Sequence, residues 1–124
     1  MRVNPIIQRV VGEVSGDAFF LATWELANED AVGEAVEMPS GTERTVSLVG
    51  TLGGGLVAWQ GANVNEDAAF VALTNPATGL PLLLRQSPEC KGVRENPRYQ
   101  RPSLQGSRQM AGITVTVLCR TRHV

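Results

Sequence analysis

A chain of 124 residues is long enough for one domain, and a domain of that size buries roughly two-thirds of its unfolded surface without a metal or disulfide staple. With 43% hydrophobic residues, 19% charged residues and a formal net charge of −1, it is not a disordered tail, a collagen rod, a coiled coil or a general nucleic-acid binder. No apolar run approaches the roughly 18 residues of a membrane-spanning helix, and the opening MRVNPIIQRVVGEVSGD lacks a signal-peptide core.

Breakers recur at short intervals, and between them lie short apolar or alternating runs, the pattern of an antiparallel β-sandwich or barrel. Residues 1–17 read either as an extended arm, fixed by Pro5 and dotted with Ile6, Ile7, Val10 and Val11, or as a first strand of the domain's own sheet. Residues 18–124 read as a single sandwich domain. Phe19–Ala27 is a strong strand, and Ala31–Met38 is a weaker strand or a helical turn. Thr45–Thr51 alternates, with Val46 and Leu48 on one face.

GTLGGG at 50–55 invites comparison with a phosphate loop, but it lacks the GK[ST] ending and LVAWQ after it is a strand. It reads instead as a tight turn between two antiparallel strands, in which glycine supplies positive φ. Leu56–Gln60 follows. VNEDAAFVAL at 64–73 has room for little more than two helical turns, so a loop leading into strand Ala69–Leu73 is expected. Leu80–Arg85 is next. Arg98–Leu104 is expected at a sheet edge, because Pro102 cannot donate to a ladder. Ile113–Cys119 ends the series with Ile113, Val115, Val117 and Cys119 on one face. The expected core is Phe20, Trp24, Leu26, Val46, Leu48, Trp59, Phe70, Leu73, Leu82, Val115 and Val117.

Groups for chemistry are few. The one histidine is His123; no GxSxG or Cys/His arrangement accompanies it, and spacing selects no carboxylate pair among acids such as Glu25 and Glu66. No enzyme activity, metal or cofactor is expected. Cys90 and Cys119 read as two reduced thiols, with a bridge between them as the alternative. Charge is polarised: residues 1–62 carry a net −5 and residues 63–124 a net +4, and ten of the eleven bases are arginine. Either the two halves interleave in one fold or they present a two-faced docking surface. RENPRYQRP at 94–102 concentrates Arg94, Arg98, Tyr99 and Arg101. With only six aromatics in the chain, base stacking is disfavoured. Pairing of Arg101 with an acid of a neighbouring subunit fits the cluster better, a solvated arginine strand being the plain alternative.

Four stretches in order, VSLVGTLGGGLVAWQGAN, FVALTNPATGLPL, RENPRYQRPSL and ITVTVL, resemble a group of small structural proteins of tailed bacteriophages. Members read V-x-G-T-x-G-G-x-x-V-x-x-x-G-S-N, then an aromatic with L-x-[DN]-P-x-G, then P-R-Y-[IV]-R-P, then T-x-x-V-x-L. The likeness spans roughly residues 45–119. It implies a jelly-roll-like β-sandwich of about eight short strands, built into the virion after synthesis in the host cytoplasm. The role it implies is a cement or decoration protein on the capsid exterior, contacting the major capsid protein and itself as a dimer or trimer, and neither nucleic acid nor membrane. Tail, head-fibre or adaptor components are alternatives. So is a carbohydrate-binding module, through Gly61-Ala62-Asn63 and PRYQR, a reading weakened by Ala62 where Ser is usual, by the absence of a following D-G-x-x-W and by Gln100 where Ile or Val is usual.

Overall fold

A computed structural model describes residues 2–11, 18–27, 31–39, 42–106 and 111–121. His123, residues 12–17 of the N-terminal segment and the turn at 28–30 lie outside the described residues. The described chain forms twelve strands: β1 (Arg2–Val3), β2 (Ile6–Val11), β3 (Ala18–Leu26), β4 (Val32–Gly33), β5 (Val36–Glu37), β6 (Thr42–Thr51), β7 (Leu56–Ala62), β8 (Val71–Ala72), β9 (Leu83–Leu84), β10 (Glu89–Gly92), β11 (Tyr99–Gln105) and β12 (Gly112–Thr121). Seven of them run four residues or longer.

The strands form two sheets packed as an antiparallel β-sandwich. One has the order β1-β4-β11-β7-β8, with β5 beside β4 on β11 and β9 beside β8 on β7; the other has the order β10-β6-β12-β3-β2. All pairings are antiparallel except β1 with β4. Strands of both halves of the chain occur in both sheets, so the acidic and basic halves interleave.

Alternation decides what is buried, because successive residues of a strand face opposite sides. In the five-stranded sheet the register aligns Trp24, Val115 and Leu48 in one row and Ala22, Val117 and Val46 in the next. All six are fully buried. From the other sheet come Val57, Trp59, Leu84 and Leu104, also fully buried. The two indoles meet across the sandwich edge-to-face, with centroids 5.6 Å apart and planes at 72°, a favoured aromatic geometry. Trp24 Nε1 donates to Glu34 O at 2.9 Å and Trp59 Nε1 to Gln100 Oε1 at 2.9 Å, so neither buried N–H is orphaned. Every residue of the expected core is buried except Phe70, which lies half-buried on the outer side of the seven-stranded sheet.

Three expectations are corrected. The strand containing Pro102 is interior: β11 pairs with β7 along its length and with β4 and β5 on its other side. Pro102 is opposite Trp59, whose own N–H and carbonyl point away to Leu82 and Leu73. The missing proline donor therefore faces the other side, where the partner edge is interrupted between β4 and β5. Ala31–Met38 is split for the same reason into two short strands. The glycine-rich turn does have positive φ at Gly53 (62°) and Gly54 (85°), with Gly55 N donating to Leu52 O at 3.1 Å. The strands it joins, however, do not pair: β6 belongs to one sheet and β7 to the other. Finally, the segments expected at Ala69–Leu73 and Leu80–Arg85 shrink to β8 and β9, which share one edge of β7. Trp59 is the pivot, donating to Leu82 O at 3.1 Å and accepting from Leu73 N at 2.9 Å.

The N-terminal segment belongs to both sheets, with Arg2–Val3 against β4 and Ile6–Val11 along β3. No helix among the described residues is long and apolar enough to cross a membrane.

Candidate functional site

The arginine-rich stretch begins as the connection from β10 to β11, and the fold holds it from beneath at nearly every residue. Val93 N donates to Arg44 O at 3.2 Å and Arg94 N to Thr74 O at 2.9 Å. The Glu95 carboxylate accepts from Thr74 N at 2.7 Å and from the Thr74 hydroxyl, while its carbonyl accepts from Arg44 Nη2 at 2.7 Å. Asn96 Oδ1 and Pro97 O accept from Gln100 Nε2 at 3.4 and 3.3 Å, and Gln100 in turn holds Trp59. Turn and core are thus tied by one polar chain running from Asn96 to the central indole. Buried polar networks of this kind rigidify when each member is satisfied.

The four candidate residues separate into two groups. Arg94 is exposed, beside a shallow cleft of about 370 Å³ also lined by Glu43, Arg44, Thr45 and Pro76. Arg98 is exposed, its Nε 3.2 Å from Glu37 Oε1 and its guanidinium carbon 5.3 Å from the centre of the half-buried Tyr99 ring. Arg101 is different. Its side chain is 9% exposed; Nε donates to Gln60 Oε1 at 3.0 Å, Nη1 to Asp67 Oδ1 at 3.0 Å, and the guanidinium stacks 3.9 Å above Phe70. Its acid therefore comes from its own chain, on the short 3-10 turn Asp67–Ala69 that folds over the outer face of the seven-stranded sheet. Alternation along β11 turns Gln100 to the core and Arg101 to the outer side.

Two charged groups beneath the ridge were not singled out from sequence, the buried Arg44 and the exposed Glu95. Arg44 is 7% exposed at the end of β6, and burial pushes its guanidinium pKa down while the charges of Cys119 and Glu95 oppose that shift. Glu95 feels partial desolvation, which would raise its pKa. The Thr74 hydrogen bonds and Arg94 outweigh it and hold the carboxyl below its ordinary value. A depressed folded-state pKa contributes stability above the ordinary glutamate range and loses it as pH falls through the folded value. Thr74→Val is therefore expected to destabilise near neutral pH and to converge on the parent protein in acid. Denaturant melts across that range check this, and a pH-independent difference would contradict it.

Cys90 is exposed and Cys119 buried, no disulfide joins them, and Cys119 Sγ lies 3.5 Å from Met38 Sδ. Among the described residues, no group of three or more His, Cys, Asp or Glu is placed to hold a metal ion. A second shallow depression of about 400 Å³, lined by Asn63, Val71, Glu95, Asn96 and Pro97, lies on the other flank of the turn. What the region offers chemically is a stiff ridge carrying Arg94, Arg98 and Tyr99 between two open hollows.

No protein-family model matches the chain, and no curated protein matches it. Two solved structures are similar at low identity. One is CapF crystallised with the inhibitor 3-isopropenyl-tropolone, 9% identical over 91% of this chain with a TM-score of 0.38. The other is the K1 cleaved adhesin domain of Lys-gingipain from Porphyromonas gingivalis W83, 10% identical over 97% of this chain and 75% of that one, with a TM-score of 0.42. The chain spans 30% of the CapF chain it resembles.

Proposed function

We propose that this protein is a structural component of a tailed-phage virion that binds the capsid exterior and bridges major capsid subunits. The observation that carries the proposal is the ridge at 94–99, in which exposed Arg94 and Arg98 and half-buried Tyr99 stand on a turn hydrogen-bonded through Gln100 to the core. Arg98 and Tyr99 belong to the P-R-Y block of the resemblance to phage structural proteins, and Arg94 lies three residues before it. A glue protein needs a stiff body and a preorganised contact surface rather than a reactive group, because rigid presentation lowers the ordering cost of binding. Binding only the assembled shell then stabilises that shell by mass action, and repetition over a lattice adds avidity.

The sugar-binding reading has less to stand on. Phe70 and Tyr99, the two described aromatic rings outside the core, each already carry a guanidinium from the same chain.

The test is binding to purified heads, followed by sedimentation at moderate salt. The chain is expected at hundreds of copies per head, retained after tails are removed. Arg94→Glu with Arg98→Glu is expected to weaken attachment at least tenfold, an effect of about 1.4 kcal/mol or more. Stability of the free protein should move by no more than about 1 kcal/mol, since the Arg98–Glu37 pair it breaks is exposed on both sides. Absence of the chain from purified heads, or normal decoration by the double variant, would overturn the proposal.

A further inference from the structure

The two outer faces of the sandwich are treated differently. On the seven-stranded sheet the 3-10 turn brings Asp67 to Arg101, whose guanidinium lies against Phe70 and is buried. The five-stranded sheet has an outer face of another kind. Its registered neighbours Cys90, Ser47, Thr116, Thr23 and Ile6 form one row across all five strands. The next row carries Gly92, Thr45, Leu118, Leu21 and Gln8. Neither row contains a charged residue, in a chain that is 19% charged. Ile6 is 63% exposed, and Leu21 and Leu118, directly paired, are half-buried. Charge returns only at the ends of this face, with Glu25 at one end and Arg120, paired across strands with Glu43, at the other.

We infer that this face is a homodimer interface in which two copies stack sheet on sheet with their β12 strands antiparallel. Three features support a second copy as the occupant. The five strands, four to ten residues long, present a face of about 600 Å², approaching the roughly 800 Å² that each partner of a standard interface buries. Charge is depleted at its centre, as in interface cores. Antiparallel stacking on a twofold axis between the Thr116 and Leu118 rows sets each copy's Glu25 toward the Arg120 end of the other, twice by symmetry. The hydroxyl row of one copy then covers the Leu21–Leu118 row of its mate. This inference rests on the bare sheet face and not on the capsid reading, so either can fail alone.

The experiment uses the full chain in solution. Sedimentation equilibrium at micromolar concentrations should give twice the monomer mass. Thr116→Arg, which places two like charges near the axis, should return the monomer mass, and so should Leu118→Arg. Thr116 is on the surface of the monomer, so the melting transition of the monomeric variant should remain cooperative. Cys90 supplies a register probe: with sheets about 10 Å apart, antiparallel stacking puts the two Cys90 residues roughly 10–15 Å from each other, whereas stacking with β12 strands parallel puts them about 20 Å or more apart. A short bismaleimide should therefore link the parent protein into a covalent dimer and fail with Cys90→Ser. A monomeric parent, a dimer indifferent to both arginine variants, or a dimer that the short reagent does not link would each overturn the inference.

Discussion

Trp59→Ala is expected to cost about 3–5 kcal/mol, a large part of the total stability of a domain this size. Three consequences of one truncation combine. The indole is fully buried, so its removal leaves a cavity that a stiff two-sheet core cannot collapse to fill. The edge-to-face contact with Trp24 is lost. Gln100, itself fully buried, loses the donor that satisfies its side-chain oxygen, and with it the link to Asn96 and Pro97. Trp59→Phe separates these contributions, since it retains most of the ring but not the N–H, and should cost less than the alanine variant. Denaturant unfolding with an unchanged slope is the measurement. A loss below about 1 kcal/mol for the alanine variant would mean that the two sheets do not meet at the indoles.

Gly50→Ala is the second large expected effect, at about 3 kcal/mol, because two independent penalties fall on one methyl group. The backbone there has φ of 128°, a conformation that L side chains rarely adopt. A Cβ would also stand 2.2 Å from the carbonyl oxygen of Gly112 and 2.9 Å from Ile113 Cα, both backbone atoms of the adjacent strand, which cannot swing aside. Gly112→Ala is the matched control: its added Cβ meets nothing within 4 Å, so a change within about 0.5 kcal/mol is expected. Comparable losses for the two variants would contradict the β6–β12 register.

Much of the fold was legible because alternation is a local signal. Val46 and Leu48, and the odd residues from Ile113 to Cys119, face the core as their spacing indicates. What local pattern could not convey is who sits beside whom. Pro102 looks like an edge residue until the interruption between β4 and β5 supplies a place for its missing donor. Phe70 looks like core until the Arg101 guanidinium is found stacked on its ring. Glu89–Gly92, with its charged residues and a glycine, has little strand character of its own, and β6 makes it a strand. The candidate ridge was legible in composition, as an arginine cluster around a tyrosine. Its division into exposed Arg94 and Arg98 and internal Arg101 depends on Asp67, thirty-four positions away. Arg44 and Glu95 carried no signal at all, since single polar residues in a strand or turn are ordinarily solvated, while Gln100 stood out only as a polar residue where Ile or Val is usual.

The position of β12 also has a consequence for synthesis. Its ten residues form the centre of the five-stranded sheet, registered with β6 along one side and β3 along the other. Both neighbours leave the ribosome long before it does. Until residue 121 has emerged, each waits with an open edge and its hydrophobic side uncovered, so this half of the molecule assembles only after translation has passed that point. Nascent chains interrupted earlier are the form in which the protein is most vulnerable to proteases and to mispairing with one another.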